Sequence, residues 1–399
     1  MGAMNPTNDQ LFPLLDAFQI EVPSWGFADT GTRFGKFHQP AAAATIEEKI
    51  EDASEVNRLT GAAPTMAVHV LWDFKPGQSP SEVAKLAQDA GIQIGSINPN
   101  LFQDQIYKYG SCCSPLESAR RQADEHLADC IEIGRATNSQ FLSLWFADGT
   151  NYPGQDDIIA RKHRMESALK KWHDAMPSEM TMLVEYKPFE PAFYHTDSAD
   201  WGMAASFARK AGPRAKVLVD TGHHLPGANI EQVVAWLLDE GMLGGFHFND
   251  RKYADDDLTL GSIDPYAVFR IFHEIRNAAH RGTDVSTIAY MVDQSHNLKP
   301  KVEAMLQTVV TAQELYLKAC LVDRDKLADF QLKTDIVGAE ELLRSAFYCD
   351  VSPILGAWRE SKGLPTNPLQ AYRASDYESK RAQERSARRP DAGKGSSYA

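Results

Sequence analysis

Four segments between residues 184 and 296 end in groups that bind cations or move protons. They are Val184-Glu185-Tyr186-Lys187-Pro188, Val219-Asp220-Thr221-Gly222-His223-His224, Phe246-His247-Phe248-Asn249-Asp250 and Met291-Val292-Asp293-Gln294-Ser295-His296. Glu185, Asp220, His247 and Asp293 give a mixed oxygen and nitrogen set, suited to Mn2+, Mg2+, Co2+ or Zn2+ rather than to a soft, thiolate-seeking ion. After the third segment comes Asp255-Asp256-Asp257, in which Asp255 and Asp257 can point the same way, toward His223. A second cation would relieve their repulsion, and Asp220 is placed to bridge both. Taken singly, an acidic strand end is more often a helix cap and an acidic run a solvated turn. The recurrence over four successive segments is what points to metal.

Lys187 shares a strand face with Glu185 by the period-two rule. A cation there can donate a hydrogen bond to a substrate oxygen that becomes negative; the rival reading is an ion pair with Glu185 or another carboxylate. His69 and Trp72, and further on Trp145 and Asp148, suit a sugar pocket, in which rings cover the apolar face and polar tips meet hydroxyls. Core packing is the alternative for either Trp.

Something must bring these groups together. Short β-rich runs recur at Val22 to Ala28, Met66 to Trp72, Ile92 to Asn98, Phe141 to Phe146, Thr181 to Lys187, Lys216 to Thr221, Gly244 to Asn249 and Thr287 to Asp293. Amphipathic stretches between them, such as Ser118 to Ile133 and Asp157 to Met176, read as helices. The rhythm predicts an α/β fold, a (β/α)8 TIM barrel, which acts at the C-terminal ends of its strands. After Lys299-Pro300 only helical patterns follow. The expected organisation is an N-terminal segment over 1–20, a catalytic barrel over 21–300, a helical extension with oligomer contacts over 301–370, and a charged, mobile tail over 371–399.

The composition narrows the class. Of 399 residues, 43% are hydrophobic, enough for one large barrel of about 250 residues with an extension. The net charge is −13 (41 basic against 54 acidic), and no stretch gathers Lys and Arg into a track for a phosphate backbone, so nucleic acid is not an expected partner. The five Cys lack zinc-site or redox spacing, and neither an export signal nor a membrane span is visible, so a cytoplasmic protein with no membrane partner is expected. No Gly-x-Gly-x-x-Gly or phosphate-cradling loop occurs.

The four motifs, with Asp255-Asp256-Asp257 and Gly149-Thr150-Asn151-Tyr152-Pro153-Gly154-Gln155, resemble the L-rhamnose isomerase family. The resemblance covers about Trp25 to Pro300, is nearest to the bacterial type with broad aldose tolerance, and extends to the site layout of xylose isomerases. It implies a structural metal on Glu185, Asp220, His247 and Asp293, and a catalytic metal on His223, Asp255 and Asp257 with Asp220 shared. It implies two divalent cations per chain, with Mn2+ preferred and Co2+, Mg2+ or Zn2+ as the other candidates. Lys187 would hold the oxygen on carbon one, His69 would assist ring opening, Asp257 would join the catalysis, and Trp72 and Trp145 would line the pocket. It further implies a homotetramer in which an aromatic residue from a neighbouring subunit closes the site, and Phe34 is the candidate.

The expected reaction is the interconversion of L-rhamnose and L-rhamnulose, and of other aldoses, by a two-metal-assisted 1,2-hydride shift. Abstraction of a proton through an enediol is the competing route. The alternative enzyme is a metal-dependent ketose 3-epimerase of related fold, which needs a single metal.

Overall fold

The computed structural model of the chain describes residues 7–32, 35–190, 194–253 and 255–388. The strands of its main sheet are β1 (Val22–Pro23), β2 (Thr65–His69), β3 (Gln93–Asn98), β4 (Phe141–Leu144), β5 (Thr181–Glu185), β6 (Ala215–Asp220), β7 (Leu243–Phe248) and β8 (Ala289–Val292). They lie in sequential order, each parallel to the next. A parallel bridge between Glu21 and Met291 joins the two ends. There the Glu21 amide donates to the Tyr290 carbonyl at 2.8 Å, and the Val292 amide donates to the Glu21 carbonyl at 2.9 Å. The expected barrel is therefore present, with Leu183, Leu218, Ala289 and Met291 packed together as a separate apolar cluster.

Eight helices follow the strands: α1 (Ile46–Thr60), α2 (Pro80–Asp89), α3 (Glu117–Thr137), α4 (Ile158–Ala175), α5 (Trp201–Ala211), α6 (Ile230–Asp239), α7 (Pro265–His280) and α8 (Lys301–Cys320). Short polar residues start many of them. Asp157, Asp200, Asn229 and Asp264 each accept a hydrogen bond from an amide of the first turn, satisfying donors that the helix leaves open. No helix among the described residues is long and apolar enough to cross a membrane.

Two boundaries differ from the sequence pattern in ways that matter for the site. The first strand stops at Pro23, and Ser24–Phe27 turn as a 3-10 helix, which sets Trp25 at the barrel mouth. The second stops at His69, and Val70–Asp73 form one helical turn. A proline cannot donate to a ladder, and the second turn is closed by the Phe74 amide donating to the Val70 carbonyl at 3.0 Å and by the His69 amide donating to Asp73 Oδ2 at 2.8 Å.

Beyond the barrel come α9 (Arg324–Leu332), α10 (Ile336–Phe347), α11 (Ser352–Ser361), α12 (Pro368–Ala374) and α13 (Tyr377–Arg388). The reading of 371–399 as a mobile tail does not hold as far as Arg388. Arg385 is 1% exposed, and its guanidinium donates to both carboxylate oxygens of Asp52 on α1, at 2.8 and 2.9 Å. Tyr377 donates to the same carboxylate at 2.8 Å. High charge suggests disorder only when the charges find no buried partner, and these do. Burial pushes the Asp52 carboxyl up to about 6 even with Arg385 beside it. Removing one member of such a pair strands the other. Arg385→Met is expected to lower unfolding stability by about 3–5 kcal/mol, read from urea denaturation; a loss below about 1 kcal/mol, the range of surface pairs, would contradict the clamp.

Candidate metal centre and sugar pocket

Parallel pairing places the polar strand ends side by side. Glu185 closes β5, Asp220 closes β6 and lies in register with His247 on β7, and Asp293 follows β8 directly. One ligand atom from each of Glu185, Asp220, His247 and Asp293 lies within 4.8 Å of every other, so the set could hold a metal ion. Three of the four side chains are fully buried and Asp293 is partly so.

The contacts within the group are close but poorly directed. His247 Nδ1 lies 3.2 Å from Glu185 Oε2, and His223 Nδ1 lies 3.0 Å from Glu185 Oε1. Nonetheless Glu185 Oε1, both ring nitrogens of His247 and His223 Nδ1 are buried without a hydrogen bond of proper geometry. Groups aimed at a shared point, rather than at each other, give this pattern. A divalent cation accepts oxygen and nitrogen ligands at about 2.0–2.6 Å, so the donor set fits such an ion.

The electrostatics agree. Burial raises the Glu185 carboxyl, but the His247 and His223 imidazoles outweigh it and hold the group down at about 2. Burial pushes Asp220 up to about 7, with Glu185 and Asp293 adding repulsion. Burial and the charges of Asp293, Asp255 and Asp220 carry Asp257 well above the carboxylate range, and burial also raises Asp293. His247, lowered by burial but faced by Glu185, is raised to about 9. A cation would relieve the repulsion among these carboxylates.

Neighbouring donors fix the carboxylates. Asn249 Nδ2 donates to both oxygens of Asp220 at 3.1 and 3.2 Å and to the Asp293 carbonyl at 3.1 Å. The Gly222 amide donates to Asp220 Oδ1 at 2.7 Å. A Cβ on Gly222 would stand 2.5 Å from Asn249 Oδ1, so a larger residue here would have to displace the side chain that holds Asp220. Trp25 Nε1 donates to Asp293 Oδ1 at 2.8 Å.

Beside this group, His223 Nε2 lies 2.8 Å from Asp255 Oδ1. Asp255 and Asp257 hold left-handed backbone conformations, with φ of 56° and 46°, and such positions concentrate at functional loops. Both line the same cavity as Glu185, His223, His247 and Asp293. Lys187 Nζ contacts Asp255 Oδ2 at 2.5 Å and Glu190 Oε2 at 2.9 Å. Burial works against the ammonium charge, but these two carboxylates hold it well in place. The pairing of Lys187 is thus with Asp255 and Glu190, not with Glu185.

The cavity encloses about 770 Å³ and also has an aromatic lining. The His69 ring lies 4.7 Å from Trp25, 4.2 Å from Trp72 and 5.8 Å from Phe102, measured between centroids. Trp145 lies 5.1 Å from Phe102, and Lys187 Nζ sits 5.1 Å above the Trp145 ring. Burial, with His247 and Lys49 nearby, lowers His69 to about 3 and keeps it neutral.

Some residues from the motifs do other work. Asp148, read as a pocket group, is buried and accepts from the Ser111 hydroxyl and amide and from the Cys113 amide. It pins a loop, as an acidic strand end often does. His224 pairs with the Tyr186 hydroxyl at 2.7 Å, and His296 lies 3.2 Å from Thr259 Oγ1. Phe34 lies outside the described residues. Trp25 and Phe102 were missed: the first hides in a turn after an irregular strand, the second in a loop without periodicity. Asn249, adjacent to an acidic residue in its motif, was legible as a polar strand end.

Comparison with known proteins gives the family. The chain belongs to the xylose isomerase-like TIM barrel family, which matches residues 61–279. It is 40% identical over 379 residues to a probable sugar isomerase of Rhizobium meliloti, covering 93% of this chain and 87% of the relative. It is 39% identical to a probable sugar isomerase of Mesorhizobium japonicum, covering 95% and 89%. A xylose isomerase of Thermus thermophilus is 23% identical over 229 residues, half of this chain and 53% of the relative. Among solved structures, an L-ribulose 3-epimerase superposes with a TM-score of 0.54 at 13% identity, covering 76% of this chain and 98% of that one. The IOLI protein, solved with a zinc atom, superposes at 0.52 with 11% identity, covering 75% and 99%. At such identities these two show the fold.

Asp293→Asn and His223→Ala are each expected to weaken Mn2+ uptake, measured by calorimetry. Ligands must be deprotonated to bind, and His247 holds its proton up to about 9. Cation affinity should therefore rise as pH increases from 6 toward 9, with proton release; a pH-independent affinity would contradict the involvement of His247.

Proposed function

We propose that the chain is a metal-dependent aldose–ketose isomerase that interconverts L-rhamnose and L-rhamnulose and tolerates other aldoses. The observation that carries this reading is that Glu185, Asp220, His247 and Asp293 gather within reach of one ion, and that Glu185, His247 and Asp293 line the same cavity as His223, Asp255 and Asp257. The two relatives named as probable sugar isomerases support it over most of their length. The same reading takes Mn2+ as the cation and a homotetramer as the assembly, both on the strength of the motif resemblance.

In this reading Glu185, Asp220, His247 and Asp293 hold one cation, and His223, Asp255, Asp257 and the shared Asp220 hold the second. The bound ions supply Lewis-acid polarisation of the substrate oxygens. Trp72 and Trp145 cover the apolar face of the sugar, and the His69 imidazole takes the proton of the hydroxyl on carbon one as the bond from carbon one to the ring oxygen breaks, then returns that proton to the ring oxygen. The hydrogen on carbon two then passes with its electron pair to carbon one, while the proton of the oxygen on carbon two is passed to the oxygen on carbon one. Lys187 faces the charge that grows on that oxygen, and Asp257 is the carboxyl beside it that can hold the travelling proton.

The alternative is a metal-dependent ketose 3-epimerase, the activity named for the L-ribulose 3-epimerase of the same fold. One experiment separates them: the Mn2+-loaded protein is incubated with L-rhamnose, L-mannose, L-lyxose, D-allose, D-xylose and the matching ketoses in heavy water. Ketose formed from aldose, with L-rhamnose fastest and no solvent deuterium on carbon one, is the expected result. Deuterium on carbon one would replace the hydride shift by an enediol route, and a 3-epimer as the sole product would overturn the isomerase. Lys187→Met is expected to lower kcat by about 10²–10³-fold while Mn2+ affinity is retained; an unchanged kcat would remove Lys187 from the reaction.

A further inference from the structure

Lys49 on α1 and Asp73, at the end of the helical turn after β2, form a buried ion pair, with Lys49 among the residues that line the cavity. Lys49 Nζ lies 2.5 Å from Asp73 Oδ1, and the side chains are 5% and 0% exposed. Taking two charges out of water to such depth carries a penalty that their attraction need not repay, and a well-packed apolar pair of the same size is often as stable or more so. Stability alone is therefore a poor reason for the pair.

Its geometry supplies another. The second Asp73 oxygen, Oδ2, accepts from the Ser24 hydroxyl at 2.6 Å and from the His69 amide at 2.8 Å. One carboxylate thus ties α1, the turn after β1 and the last residue of β2 together. From the two peptide segments it holds project Trp25 and His69, whose rings lie 4.7 Å apart. Trp25 in turn donates to Asp293 Oδ1 at 2.8 Å, leaving Asp293 Oδ2 on the side of His247 Nδ1, 3.9 Å away. On its outer side α1 is clamped through Asp52 and Glu48 by Arg385 and Arg388, so Lys49 projects from a fixed helix.

We propose that Asp73, held by Lys49, is a positioning residue for the metal centre: it aims Trp25 at Asp293 and His69 into the cavity. The proposal rests on the isomerase reading for its activity readout and on the ligand group alone for its binding readout. An unaimed Trp25 leaves Asp293 free to rotate, and groups that orient a metal ligand are worth about 10–100-fold in affinity or activity.

The test uses Lys49→Met/Asp73→Leu, Ser24→Ala and Trp25→Phe in the full chain, with Tm, Mn2+ affinity by calorimetry and kcat against KM as readouts. The apolar pair is expected to regain a Tm near that of the parent while Mn2+ affinity and kcat stay about 10–100-fold down. Trp25→Phe should show the same deficit, and adding it to the apolar pair should cost nothing further, because both remove one interaction. If the apolar pair fails to fold, Ser24→Ala alone should still weaken Mn2+ binding with Tm nearly unchanged. Parent-like Mn2+ affinity and kcat in these variants, beside an active parent, would overturn the positioning role and leave the isomerase standing. A parent that binds Mn2+ but converts no sugar would overturn the isomerase, and the role would then be judged on Mn2+ affinity alone. A parent that binds no cation would overturn both.

Discussion

The constraint on which the rest of the structure depends is the crowding of carboxylates at one mouth of the barrel. Glu185, Asp255, Asp257 and Asp293 line a single cavity, Asp220 is buried beside Glu185 and Asp293, and His223, His247 and Lys187 stand in contact with these carboxylates. Buried like charges at this density are not tolerated without compensation. Compensation can come as protons, as the raised Asp220, Asp257 and Asp293 show, or as divalent cations. Only the second leaves the carboxylates as ligands able to hold and polarise a sugar. The fold serves this end by register: parallel strands end at one rim, and Asp220 meets His247 as a direct pairing partner.

The supporting contacts follow from the same demand. A ligand must be held in one orientation, and here each held carboxylate has a dedicated donor: Asn249 and the Gly222 amide for Asp220, Trp25 for Asp293. Trp25, His69, Trp72, Phe102 and Trp145 add an aromatic lining to the same cavity, meeting the charged groups where Trp25 donates to Asp293 and Lys187 lies over Trp145. Polar groups and aromatic rings lining one space are what an open-chain sugar needs, since it has hydroxyls to bind and carbon to cover.

The carboxylate and imidazole half of the candidate site was legible because parallel strands are buried on both faces. Their apolar runs stop abruptly, so Glu185, Asp220, His247 and Asp293 stand out as polar ends at a spacing that a barrel converges. Asp148 satisfied the same rule and proved to be a loop pin, because a strand-end carboxylate can be satisfied by local amides as well as by a ligand. The aromatic half was harder. Trp25 follows a strand of two residues, and Phe102 lies in a loop, where neither period applies. Lys49 reads on α1 as an ordinary charged helix residue, and only tertiary packing reveals that it is buried against Asp73. The helix at Tyr377–Arg388 was hidden by its own charge, since Arg385 looks solvated until its partner Asp52, far away in sequence, is known.

Fold and chemistry are separable here. The superposition on an L-ribulose 3-epimerase at 13% identity shows a shared fold, and a fold does not fix a function, so the ligand groups, not the architecture, decide the chemistry. The most direct measurement is anomalous X-ray diffraction from crystals grown with Mn2+. The account predicts two peaks per chain, one among Glu185, Asp220, His247 and Asp293 and one against His223, Asp255 and Asp257. A single peak would contradict the two-cation centre, and no peak at either position would contradict the metal centre altogether.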